Sequence, residues 1–172
     1  MRANGCPWDA VTCKHAALGG QLETLRWARE NGCDWDAEAC AAAAEHGHLQ
    51  VLQWLRAEGC PWDADTCMRA ANKGHLETLR WARENGCDWN AEACRGAAQE
   101  GHLEVLQWLR ANGCPWNWLT CYHAVIHGHV EVLRWARENG APWTAWIRDR
   151  AAAKLGYTDD CGNLVDTNGN PV

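Results

Sequence analysis

Cysteine and histidine are the side chains in this sequence best suited to chemistry, and both recur at fixed intervals. The cysteines form pairs seven residues apart: Cys6/Cys13, Cys33/Cys40, Cys60/Cys67, Cys87/Cys94 and Cys114/Cys121. A Gly-His step recurs at His48, His75, His102 and His129. One reading makes each pair, with such a His, a zinc site. Zinc takes a tetrahedron of ligands and usually opens with two cysteines about two to four residues apart. A seven-residue gap and three ligands fit that poorly, and Gln21 replaces the His in one repeat. A disulfide within each pair is a second reading. The preferred one is packing, since a free Cys behaves as a small, deeply buried hydrophobe. No cofactor is implied.

A Ser-His-Asp or Cys-His-Asn centre cannot be singled out, because each His and Cys has several equivalents. The chain is therefore read as no enzyme. His48, His75, His102 and His129 are read as structural hydrogen-bonding groups. His15, His46, His123 and His127 fall at variable positions and could make a surface sensitive to pH near 6. Asp166-Thr167-Asn168-Gly169-Asn170 resembles a calcium loop only faintly, with Pro171 cutting it short. Thirteen tryptophans could stack on a ligand or on bases. Most of them fall at two fixed places per repeat, such as Trp81 and Trp89, and that regularity points to the core. Trp118 and Trp146 break the pattern and are expected to be exposed.

The elements that must position these residues are repeats. Gly-His-Leu-Glu-Thr-Leu-Arg-Trp-Ala-Arg-Glu-Asn-Gly-Cys-Asp-Trp spans 74–89, and edited copies start at Gly20, Gly47, Gly101 and Gly128. The step is 27 residues each time. Such a period marks a solenoid, propeller or array. Asp9, Asp36, Asp63, Asn90, Asn117 and Thr144 recur at that step and suit helix N-caps. Gly20, Gly47, Gly74, Gly101 and Gly128 suit the left-handed residue that closes a helix. Between cap and glycine lies a first helix with a small-residue stripe such as Cys67, Ala70 and Ala71. A second helix, about 75 to 85, has a wide apolar arc of Leu76, Thr78, Leu79, Trp81 and Ala82, and Gly86 ends it. A longer period overlies this one. The copies at 20 and 74 share Thr-Leu-Arg-Trp-Ala-Arg, whereas those at 47 and 101 read Val-Leu-Gln-Trp-Leu-Arg. Strand content should be near zero.

Composition narrows the function. A net charge of −6 argues against nucleic acid, which needs clustered cations. No apolar run is long enough to span a membrane, and Met1 to Trp8 lacks the apolar stretch of a secretory signal. The cysteines are then reduced thiols, and the expected location is intracellular, cytoplasmic with the nucleus open. Residues 1–157 are read as one array and 158–172 as an irregular tail. Arg2 to Trp8 matches Arg110 to Trp116, so the array enters mid-repeat. That uncapped end is a possible route to self-association.

Ala70-Ala71-Asn72-Lys73-Gly74-His75-Leu76-Glu77, followed by Gly86-Cys87-Asp88-Trp89-Asn90-Ala91, resembles the ankyrin repeat. In that family Ala-Ala-x-x-Gly-His-Leu-Glu leads to Gly-Ala-Asp-Val-Asn-Ala. The resemblance covers about residues 1 to 155. The repeat here is about six residues shorter than the family's, and the missing ones build the β-hairpin finger. The resemblance implies a protein-binding array without catalysis, whose contacts shift from fingertips to the concave face of the first helices. The expected fold is all-α: a right-handed solenoid of about eleven short helices. The candidate partner-binding residues are Arg69, Lys73, Arg95, Gln99, Tyr122, His123 and His127. They sit at positions that differ between otherwise similar repeats. The partner is a protein of unknown identity. A structural, self-stacking role and metal or redox binding by the cysteines are the alternatives.

Overall fold

The structure, a computed structural model, describes residues 9–155. The calcium-like segment, the tail at 158–172 and the partial repeat at Arg2–Trp8 lie outside those residues. Eleven α-helices and no strand occur among the described residues. They are α1 (Ala10–Leu18), α2 (Leu22–Glu30), α3 (Ala37–Glu45), α4 (Leu49–Ala57), α5 (Ala64–Asn72) and α6 (Leu76–Glu84), followed by α7 (Ala91–Gln99), α8 (Leu103–Ala111), α9 (Trp118–His127), α10 (Val130–Glu138) and α11 (Ala145–Leu155). Odd-numbered helices are first helices of a repeat and even-numbered ones are second helices. The loop that replaces the finger, such as 32–36, has no regular structure.

The chain groups into two compact bodies. Among the described residues, one comprises 9–70 and His75–Asp88, the other Ala71–Gly74 and 89–155. In the first body α1 packs on α2 and α3, and α3 on α4. In the second α7 packs on α8 and α9, and α9 on α10 and α11. Neighbours in sequence are neighbours in space, as a stacked helical repeat requires.

Short helices of nine residues are marginal alone, so packing and caps must hold them. Asp36 accepts from the amide of Glu38 at 3.0 Å, and Asp63 from that of Asp65 at 3.0 Å. Asn90 and Asn117 do the same at 2.9 Å. Asp9 accepts from Thr12 at 3.2 Å and Thr144 from Ile147 at 3.3 Å. All six expected N-caps are therefore used, each worth about 1 kcal/mol. Inside, Leu25, Leu52, Leu55, Leu79, Leu106, Leu109 and Leu133 are fully buried. Cys and Ala line the first helices: Ala39 to Ala44 of α3 are all buried.

The Gly-His step is a joint between repeats. Gly47 has φ +69°, and the ring of His75 lies where a Cβ would be, 2.7 Å from its built position. Gly101 and His129 repeat the arrangement at 2.6 Å. His48 Nε2 meets the carbonyl of Leu18 at 3.0 Å, and His129 Nε2 that of Gln99 at 2.9 Å. Each ring thus reaches back 30 residues to the previous first helix. The structural hydrogen-bonding reading holds for His48 and His129.

One expectation needs correction. The regularly spaced tryptophans are not core. Trp35, Trp54, Trp62, Trp81, Trp89, Trp108, Trp116 and Trp135 are half-buried, and Trp27 is exposed. They pair edge to face across successive repeats: Trp35 with Trp54 at 5.7 Å, Trp62 with Trp81 at 5.9 Å, Trp89 with Trp108 at 5.6 Å and Trp116 with Trp135 at 6.0 Å. Arg29, Arg56 and Arg110 lie over Trp35, Trp62 and Trp116 at 4.2–4.3 Å. A guanidinium on an indole face is attractive without full burial, which explains why the ring stays at the surface. The described cysteines are buried, as the packing reading expects. The thiol of Cys13 lies 3.1 Å from that of Cys33, twenty residues on, because the helix hairpin folds its ends together.

Candidate functional site

The residues that vary between repeats lie on first helices, and the two bodies use them differently. In the first body Arg69, on α5, donates to Asp65 at 2.7 Å, Glu45 at 3.1 Å and Glu38 at 3.0 Å. Asp65 is four residues back on the same helix, whereas Glu38 and Glu45 come from α3. Lys14 of α1 closes on Glu38 at 2.8 Å. Hydrogen bonding from Lys14, then the charge of Arg69, holds the Glu38 carboxyl below the usual range. Ion pairing to Asp65 and its neighbours raises Arg69 despite burial. This face binds itself.

In the second body α7, α9 and α11 carry a different set. Arg95 pairs with Glu92 at 2.5 Å and donates to Gln99 at 3.3 Å, and Gln99 donates to Glu100 at 3.0 Å. Tyr122 stacks on Trp146 with centroids 5.3 Å apart and meets Trp118 at 5.7 Å. Trp118 and Trp146 are 6.4 Å apart, edge to face. Trp118 is 44% exposed and Trp146 is 55% exposed. His123 touches Tyr122 at 5.2 Å and stacks on His127 at 5.9 Å. His123 Nδ1 is buried and has no hydrogen-bond partner. Desolvation, then the charges of Arg95 and His127, pushes the His123 pKa down, with Glu92 opposing.

The structure therefore places the seven sequence candidates unequally. Arg69 is enclosed by carboxylates. Lys73 is exposed. Arg95, Gln99, Tyr122, His123 and His127 gather on α7 and α9. Trp118 and Trp146 complete that cluster, although sequence reasoning marked them only as exposed. Their break from the 27-residue pattern was the available signal. Glu38, Glu45 and Asp65 were missed as partners of Arg69.

The second helices present another surface. Shallow clefts in the first body are lined by Gln53, Arg56, Ala57, Trp62, Trp81 and Asn85, and by Arg26, Arg29, Glu30, Trp54 and Glu58. The same positions serve in both, so this face repeats where the first-helix face varies. Among the described residues no cluster of three or more His, Cys, Asp or Glu could hold a metal ion, and no helix is long and apolar enough to cross a membrane.

A family model described as "Ankyrin repeats (many copies)" matches residues 67–110. That segment runs from α5 to α8, and the same pair of helices recurs on both sides of it at the same step. No curated protein matches the chain.

Proposed function

We propose that this chain, whose repeats belong to the ankyrin family, is a non-enzymatic scaffold that binds a protein partner through the first-helix face of its second body. Ankyrin repeats are protein-interaction scaffolds, and that coarse role is carried by the family match. The finer reading rests on one observation: Trp118, Tyr122 and Trp146 form a contiguous, part-exposed aromatic patch beside Arg95 and two imidazoles. Protein–protein hot spots are enriched in Trp, Tyr and Arg; the two aromatics give large contact area with few rotors to freeze, and Arg adds a planar fork of donors. Packed helices hold the patch in place before binding, which lowers the ordering cost on association. Gln99 and His127 supply polar contacts at its rim, and Lys73 offers an exposed cation just past α5. Arg69 has a structural part, since its donors are already engaged.

Replacing Tyr122 and His123 together by Ala tests the assignment. Far-ultraviolet circular dichroism should keep its helical signal while partner recovery falls. A parallel loss of helicity and recovery would assign both residues to the fold instead. Light scattering over a range of concentrations separates partner binding from self-association, which would appear as a mass that grows with concentration.

A further inference from the structure

We infer that Cys13/Cys33, Cys40/Cys60, Cys67/Cys87 and Cys94/Cys114 are four modification sites, each a buried dithiol that a peroxide converts to a disulfide within one helix pair. The pairing is spatial. Cys13 Sγ lies 3.1 Å from Cys33 Sγ, and neither is cross-linked. Cys40 hydrogen-bonds Cys60, Cys67 hydrogen-bonds Cys87, and Cys94 hydrogen-bonds Cys114 through the side chains. One thiol of each pair sits on a first helix and the other in the loop after the second helix. Closing to bonding distance needs an approach of about 1 Å.

Three features suit these pairs to oxidation. The loop thiol is buried, yet its chain neighbours are exposed: Gly32 and Asp34, Gly59 and Pro61, Gly86 and Asp88, Gly113 and Pro115. A small local opening therefore reaches the sulfur. Next, a hydrogen bond from the first-helix thiol favours the loop thiolate, drawing Cys60 and Cys87 below the usual thiol range. Finally, closure orphans no acceptor. Each loop thiol donates to the N-cap carbonyl of its repeat, as Cys33 does to Asp9 at 3.1 Å and Cys87 to Asp63 at 3.2 Å. Those carbonyls also accept backbone amides, Thr12 on Asp9 at 3.0 Å and Thr66 on Asp63 at 3.1 Å. Losing the S–H donor leaves them satisfied.

The chemistry balances with hydrogen peroxide as oxidant. The loop sulfur attacks one peroxide oxygen, the O–O bond breaks, and the departing hydroxide leaves as water with the thiol proton. The sulfur is now a sulfenic acid. The first-helix sulfur attacks it, the S–O bond breaks, and hydroxide leaves as a second water with the second thiol proton. Two thiols and one peroxide give one disulfide and two waters.

The last repeat is a built-in control. Cys121 occupies the first-helix position, but Ala141 stands where its partner would be. Burial pushes the Cys121 thiol up to about 12, which disfavours the reactive thiolate. The test uses the full chain with Cys6 and Cys161 replaced by Ser. It is treated with hydrogen peroxide, alkylated, digested without reductant and mapped by mass spectrometry. The expected result is cross-links 13–33, 40–60, 67–87 and 94–114, with Cys121 recovered alkylated. Unfolding of the oxidised chain should need a higher temperature, and dithiothreitol should reverse the shift. In C60S, Cys40 should be recovered as a free thiol while three cross-links persist. Cross-links seven residues apart, loss of helicity on oxidation, or the absence of cross-links at peroxide doses that oxidise Cys121 would each overturn the inference.

Discussion

Arg69 on α5 and His123 on α9 stand 54 residues apart, at the same place in two repeats. The caps, the closing glycines and the buried leucines around them are equivalent. Their surroundings are not. Arg69 meets three carboxylates and its charge is spent inside the protein. His123 meets another imidazole, a phenol ring and Arg95, and one ring nitrogen lacks a partner. A position that varies within a fixed frame is thus free of the core, but it is not thereby free for a partner. What its neighbours supply decides that, and among the described first helices the exposed tryptophans, Trp118 and Trp146, belong to the second body.

If the frame is shared, the largest effects should not distinguish the bodies. Leu52→Ala in α4 and Leu106→Ala in α8 each empty a fully buried site at the same repeat position. Each should cost about 2–5 kcal/mol in denaturant unfolding. A loss confined to one of them would break the comparison at its base.

Arg69→Gln comes next. It strands Glu38, Glu45 and Asp65 beside one another, and a part-buried network of this kind should cost about 1–2 kcal/mol. The loss should shrink in high salt. Arg95→Gln removes one close ion pair and should cost about 0.5 kcal/mol. Equal costs would mean that the two faces are not electrostatically distinct.

The pH dependence sharpens the contrast. The folded His123 pKa lies below its ordinary 6.5, so the unfolded chain binds the proton more readily. Stability then rises with pH across that window and falls as pH drops below about 6.5. The Glu38 pKa is also depressed, so its contribution is present above its ordinary 4.5 and is lost at more acid pH. Unfolding curves from pH 7 to 5 should slope downward toward acid, and His123→Gln should flatten that slope while Arg69→Gln should not.

Much of this was legible before any coordinates. The all-helical repeat, the six N-caps, the closing glycines and the buried thiols follow from side-chain chemistry at a fixed period. Periodicity shows that two tryptophans are equivalent, not that they are buried. Trp62 misled because Arg56, six residues back, covers its face and leaves it half-exposed. The cysteine partners were not legible, because chain spacing is not spatial spacing and the hairpin brings together thiols twenty residues apart. Of the Arg69 network, only Asp65 lay at helical spacing. Glu38 and Glu45 come from another repeat, and their contact depends on how first helices stack.

The decisive measurement is quantitative partner capture with wild type, Trp118→Ala/Trp146→Ala and Arg69→Gln, each first shown to be folded. The account predicts that the double variant loses at least about 2 kcal/mol of binding, roughly thirtyfold in affinity, while Arg69→Gln binds as wild type. Full binding by the double variant together with its loss in Arg69→Gln would place the contact on the charged face and contradict the account.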